Sequence, residues 1–82
     1  MGRVVSAPAG DRPMPFRIEV ERETDGRWFA DIPQLPGTTA YGGTPEEAVS
    51  NVQALGLRVL ADRIEHGEDV PEGVMDLFAV PA

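Results

Sequence analysis

Glu19, Glu21 and Asp31 are the residues whose type and spacing come nearest to chemistry in this chain. Paired carboxylates hold divalent ions in metal-dependent nucleases, so two acids placed opposite each other on a sheet invite that reading. Like charges directly across a strand pair also repel, and such a pairing needs either a ligand or a partner surface to explain it. Against a metal site stand Arg17, close enough to offset the charge, and the lack of any third ligand or pocket-forming loop beside the pair. A solvated sheet face or a protein-binding surface accounts for the same residues. His66 is the one histidine; it falls at a helix end, where the dipole favours an imidazolium, and no Ser–His–carboxylate spacing surrounds it. Gly42-Gly43-Thr44 opens a helix and has the form of an anion cradle, but Glu46 and Glu47 in the first turn repel an anion there. Trp28 pairs with Arg22 as a structural cation–π contact or, alternatively, offers a ring for ligand stacking. Without cysteine there is no thiol nucleophile, disulfide or thiolate metal site. No cofactor or bound metal is expected.

These side chains depend on a short series of elements. From Phe16 to Glu23 apolar and charged residues alternate, with Phe16, Ile18 and Val20 on one face and Arg17, Glu19, Glu21 and Glu23 on the other. That is a strand with one wet face. Thr24-Asp25-Gly26 fits a three-residue hairpin loop with glycine last, followed by a strand over Arg27–Ile32. The register pairs Val20 with Ala30, Glu19 with Asp31 and Arg22 with Trp28; a two-residue Asp25-Gly26 turn would set Val20 against Asp31 on the core face. Pro33-Gln34-Leu35-Pro36-Gly37 breaks the ladder, and Thr38–Tyr41 reads as a brief third strand. Thr44 is a good N-cap, Pro45 suits the first helical position, and Glu47 completes a capping box. The helix runs to about Glu65–His66 and stops at Gly67. Val74–Val80 reads as a last strand.

On the helix, Ala48, Val49, Val52, Leu55, Gly56, Val59 and Leu60 share a core stripe. Gly56 in mid-helix costs about 1 kcal/mol against alanine, which points to close packing on the sheet. Ala54, Leu57, Ala61 and Ile64 form a second ridge, covered either by the following segment or by a second protein; we assign it as an oligomer contact. Met1–Pro15, with three prolines and no periodicity, reads as a flexible N-terminal leader, and residues 16–82 as the one folded domain.

Eighty-two residues allow one small domain whose thin core favours self-association. Fourteen acids face seven arginines, a formal charge of −7. The leader carries +1 (Arg3 and Arg12 against Asp11), so residues 16–82 carry −8. Such a body does not bind nucleic acid directly and is suited to a basic protein partner. No apolar run is long enough for a membrane span, and a cytoplasmic location is expected.

The run Trp28-Phe29-Ala30-Asp31-Ile32-Pro33-Gln34-Leu35-Pro36-Gly37, followed by Tyr41-Gly42-Gly43-Thr44-Pro45-Glu46-Glu47-Ala48, resembles the HicB-like antitoxin domain. That family shows a strand ending in Pro-x-Leu-Pro-Gly, a Gly-x-Thr-x-Glu-Glu-Ala helix start, and a long helix closing near a Gly and a Pro, here Gly67 and Pro71. Gly43 stands where the family often has Asp. Residues 72–82 are too few for the helix-turn-helix or ribbon-helix-helix part that many relatives carry. The resemblance implies an α+β fold: a small β-β-β-α-β domain, partial ribonuclease-H-like, mostly antiparallel, with one crossover helix. It also implies homo-dimers or tetramers and a small basic HicA-type RNA-cleaving toxin as partner. On this reading the chain is no enzyme but an antitoxin-like protein that masks the toxin, with Glu19, Glu21, Phe29 and Asp31 as contacts. The other readings are an orphan homo-oligomeric regulatory module and, last, a metal-dependent nuclease.

Overall fold

The structure is a computed structural model that describes residues 16–81 and the backbone of residues 3–5. Four strands, β1 (Arg3–Val5), β2 (Glu19–Arg22), β3 (Trp28–Asp31) and β4 (Thr39–Gly42), form one antiparallel sheet in the order β1-β2-β3-β4. One long helix, α1 (Pro45–Glu65), and a single 3-10 turn, Met75–Leu77, complete the α+β domain.

The β2–β3 hairpin has the predicted register, with Glu19 opposite Asp31, Val20 opposite Ala30 and Arg22 opposite Trp28. Its loop is closed at both ends by backbone: the Glu23 N–H donates to Arg27 O at 2.7 Å, and the Gly26 N–H to Glu23 O at 3.0 Å. Gly26 takes φ +92°, the left-handed conformation that glycine adopts without a steric cost. The proline-rich link to β4 turns inward. Leu35 is fully buried within it, held by its N–H to Ile32 O (2.9 Å) while its carbonyl accepts from Thr38 N–H (3.0 Å).

Thr44 caps α1 as expected, its hydroxyl accepting from the Glu47 N–H at 3.1 Å. The return bond of the capping box falls one residue early: the Gly43 N–H donates to Glu47 Oε1 at 2.7 Å. At the far end Gly67 has φ +68° and its N–H reaches Ile64 O, while the Glu68 N–H reaches Arg63 O, so the last carbonyls are satisfied and the helix ends there. Ala48, Val52, Gly56 and Leu60 are buried at intervals of one turn, and they meet Val20, Ala30, Ile32, Leu35 and Val74 in the core. Val49, Leu55 and Val59 are half-buried beside them. The helix packs most closely on β4, less on β3 and least on β2, and does not reach β1.

Two expectations change. Residues Arg3–Val5, placed in the leader by sequence, form a strand on β2; the remainder of Met1–Pro15 lies outside the described residues. The expected strand over Val74–Val80 is absent. Val74 is buried, after which Leu77 N–H bonds back to Val74 O and Phe78 N–H to Met75 O, winding the chain into the 3-10 turn. The physical reason is competition for one edge. A strand returning after a crossover helix would pair with β2, and Arg3–Val5 already satisfies that edge. Hence α1 makes no crossover to a parallel strand among the described residues.

Two glycines set how close helix and sheet come. A Cβ on Gly56 would stand 2.8 Å from Ile32 Cδ1, the free end of a side chain that can rotate away. A Cβ on Gly42 would lie 2.5 Å from the Ala48 backbone nitrogen and 2.9 Å from Glu47 carbonyl carbon, which cannot yield without moving the helix start. Gly42→Ala is therefore expected to cost about 2–3 kcal/mol by overpacking. Gly56→Ala should fall within about 1 kcal/mol of wild type, because gained helix propensity offsets the shift of Ile32. Urea unfolding of both variants checks the contrast; equal losses would show that the Gly42 contact is not the tighter restraint.

Candidate functional site

The helix covers one face of the sheet, and no described element covers the other. Strand alternation places two cross-strand rows on that outer face. One row is Glu21, Phe29 and Tyr41; the next is Glu19, Asp31 and Thr39. All four residues expected as toxin contacts, Glu19, Glu21, Phe29 and Asp31, thus share it, each half-buried by its neighbours.

Two further members of this surface were missed from sequence. The Tyr41 ring meets Phe29 edge-on, with centroids 5.3 Å apart and planes at 60°. The Arg27 guanidinium lies over the Tyr41 ring, 4.4 Å from its centroid. Arg27 is itself aimed by the hairpin loop: its Nε donates to Asp25 Oδ2 at 2.8 Å, and its backbone N–H donates to Asp25 Oδ1 at 3.0 Å. The surface therefore grades from a cation at the loop end, across an aromatic pair, to carboxylates at the other end. An edge-to-face pair adds about 0.5–1.5 kcal/mol beyond its area and presents a stiff apolar centre. Tyr41 became visible only through the β3–β4 register, which places it across from Phe29.

The remaining candidates take other roles. Arg22 and Trp28 lie on the helix side of the sheet, the guanidinium 6.0 Å from the indole centroid, at the outer limit of a cation–π contact. His66 caps the helix: its Nδ1 approaches Asp62 O at 2.7 Å, with Asp62 Oδ1 at 3.3 Å. Among the described residues no group of three or more His, Cys, Asp or Glu is arranged to hold a metal ion. No helix there is long and apolar enough to cross a membrane. Ala54, Leu57, Ala61 and Ile64 are all exposed along one flank of α1, Leu57 by 67%.

The backbone N–H of Arg27, and after it the Arg27 guanidinium, hold the Asp25 carboxyl below the ordinary aspartate value. A depressed folded pKa gives stability that is present above the unfolded value and lost as pH falls through the folded one. Between about pH 5 and about pH 3, wild type should therefore lose more stability than Asp25→Asn, as read from urea midpoints. Parallel curves would mean that the carboxylate does not hold the loop.

No family model matches the chain. A UPF0150 protein of Thermoplasma acidophilum is 25% identical over 69 residues, which make up 84% of this chain and 100% of that protein. The crystal structure of the N-terminal domain of Burkholderia pseudomallei antitoxin HicB matches with a TM-score of 0.64 at 30% identity, over 83% of this chain and 84% of that one. The structural match spans most of both chains at 30% identity, and the chain belongs to the HicB-like antitoxin family.

Proposed function

We propose that this chain is a non-enzymatic antitoxin whose outer sheet face binds and masks a small basic RNA-cleaving toxin of the HicA type. The observation that carries the reading is the placement of Glu19, Glu21 and Asp31 with the Phe29–Tyr41 pair on the sheet face left open by the helix. Carboxylates at the margin steer a basic protein during approach, and a desolvated aromatic centre slows its departure. The formal charge of −7 supports the same class of partner and argues against direct DNA binding by this chain alone. Self-association through Ala54, Leu57, Ala61 and Ile64 belongs to the reading, since that flank is separate from the toxin face and leaves it free in a dimer or tetramer.

The test is kinetic. The partner to assay is a small Lys/Arg-rich protein of the HicA type, immobilised and tested at two salt concentrations. Reversal of Glu19 and Glu21 to Lys should lower the association rate by about tenfold at low salt, with less effect at high salt, where charges beyond roughly 8 Å are screened. Phe29→Ala should instead raise the dissociation rate, a loss of about 1–2 kcal/mol. If these variants bind like wild type while Leu57→Glu does not, the toxin occupies the helix flank and the surface assignment is wrong.

A further inference from the structure

Because α1 leans toward β4 and β3, it leaves an apolar trough along its β2 side. One end is a groove of about 420 Å³ between Phe16, Ile18 and Ile32 on the sheet side and Leu57 and Leu60 on the helix, closed at its rim by Leu77. Among the described residues, Gln53 is the one polar side chain that lines it. The chain leaves the body at this rim. Val74 is the last buried residue; Phe78 is already extended (φ −123°, ψ 145°), and Phe78 and Val80 are 65% and 94% exposed. An apolar acceptor and an unpartnered apolar segment thus adjoin at Leu77.

We infer that this trough takes the segment Leu77–Val80 of a second copy of the chain, and that two copies exchange these segments reciprocally. A two-fold axis at the rim would satisfy both copies at once, as isologous contacts require. Extended chain rises about 3.3 Å per residue, so Leu77–Val80 reaches roughly 10 Å beyond the rim, enough to cross into a neighbour. Phe78 and Val80 do not fold back onto their own body, as their exposure records. The groove's lining also selects the occupant. Its described residues carry no charge, whereas a basic partner would be drawn to the acidic sheet face on the opposite side. Leu57 in the trough and Leu77, Phe78 and Val80 in the segment are 65–94% exposed, so reciprocal exchange would bury four large apolar side chains from each copy.

This inference rests on the self-association part of the proposed reading and is independent of the toxin. The chain has no cysteine, so single thiols report cleanly. Leu57→Cys and Phe78→Cys chains, mixed and oxidised gently, should give a mixed disulfide dimer several-fold more abundant than a mixture of Glu21→Cys with Phe78→Cys. Phe78→Asp, a change at an exposed position, should lower the sedimentation mass of the chain to that of one copy with its circular dichroism unchanged, and Phe78→Leu should restore association. The inference is overturned if the two mixtures cross-link equally, if wild type sediments as a single copy at about 100 μM, a concentration that populates even weak dimers, or if Phe78→Asp keeps the wild-type mass. In that last case a loss of mass in Leu57→Glu would still support self-association through the helix flank alone.

Discussion

The contact of α1 with Ile32 and Leu35 at Gly56 is the constraint on which the rest of the domain depends. With only one helix, the core must be closed by bringing that helix against the end of β3 and the inward turn that follows it. A side chain extending beyond Cβ at position 56 would hold the two apart; a Cβ alone would meet the movable Ile32 Cδ1 at 2.8 Å and rest at contact distance, 3.9 Å, from Leu35 Cδ1. Leu35 is fully buried beneath that approach. At the other end Gly42 lets the last residue of β4 lie against the first turn of the helix. The two glycines let α1 lie close to the sheet at β4 and at the end of β3, and that placement leaves the β2 side of the same face more open.

From that geometry both candidate interfaces follow. The helix lies toward β4, so the β2 side of the same face keeps an apolar trough. The opposite face receives no described element, and its side chains are organised by one another: Asp25 directs Arg27, Arg27 covers Tyr41, and Tyr41 meets Phe29.

Much of this was legible in the residues. Strict alternation over Phe16–Glu23 and a glycine at the third loop position were enough to give the β2–β3 register, because a slip by one would have buried Asp31. Thr44, Pro45, Glu47 and Gly67 marked both ends of α1 by backbone chemistry that is local in sequence. What could not be read was non-local. A three-residue strand such as Arg3–Val5 has no period to detect, and its pairing depends on the free edge of β2. Val74–Val80 has the composition of a strand, but the β2 edge it would have joined is taken by β1. Tyr41 belongs to the site only through β3–β4 pairing, and Arg27 only through the turn that aims it.

Asn51 brings a different consequence. Ile32 N–H bonds to Thr38 O, and antiparallel alternation then leaves the Thr39 and Tyr41 peptide groups directed outward from β4, the last strand of the sheet. Such a row of unsatisfied groups is a template for an added strand and for fibrillar stacking. The Asn51 side-chain amide donates to Tyr41 O at 2.9 Å and so removes one acceptor from that row. A single amide on the helix thereby occupies a group that an added strand would need, and makes that edge a poorer template for stacking.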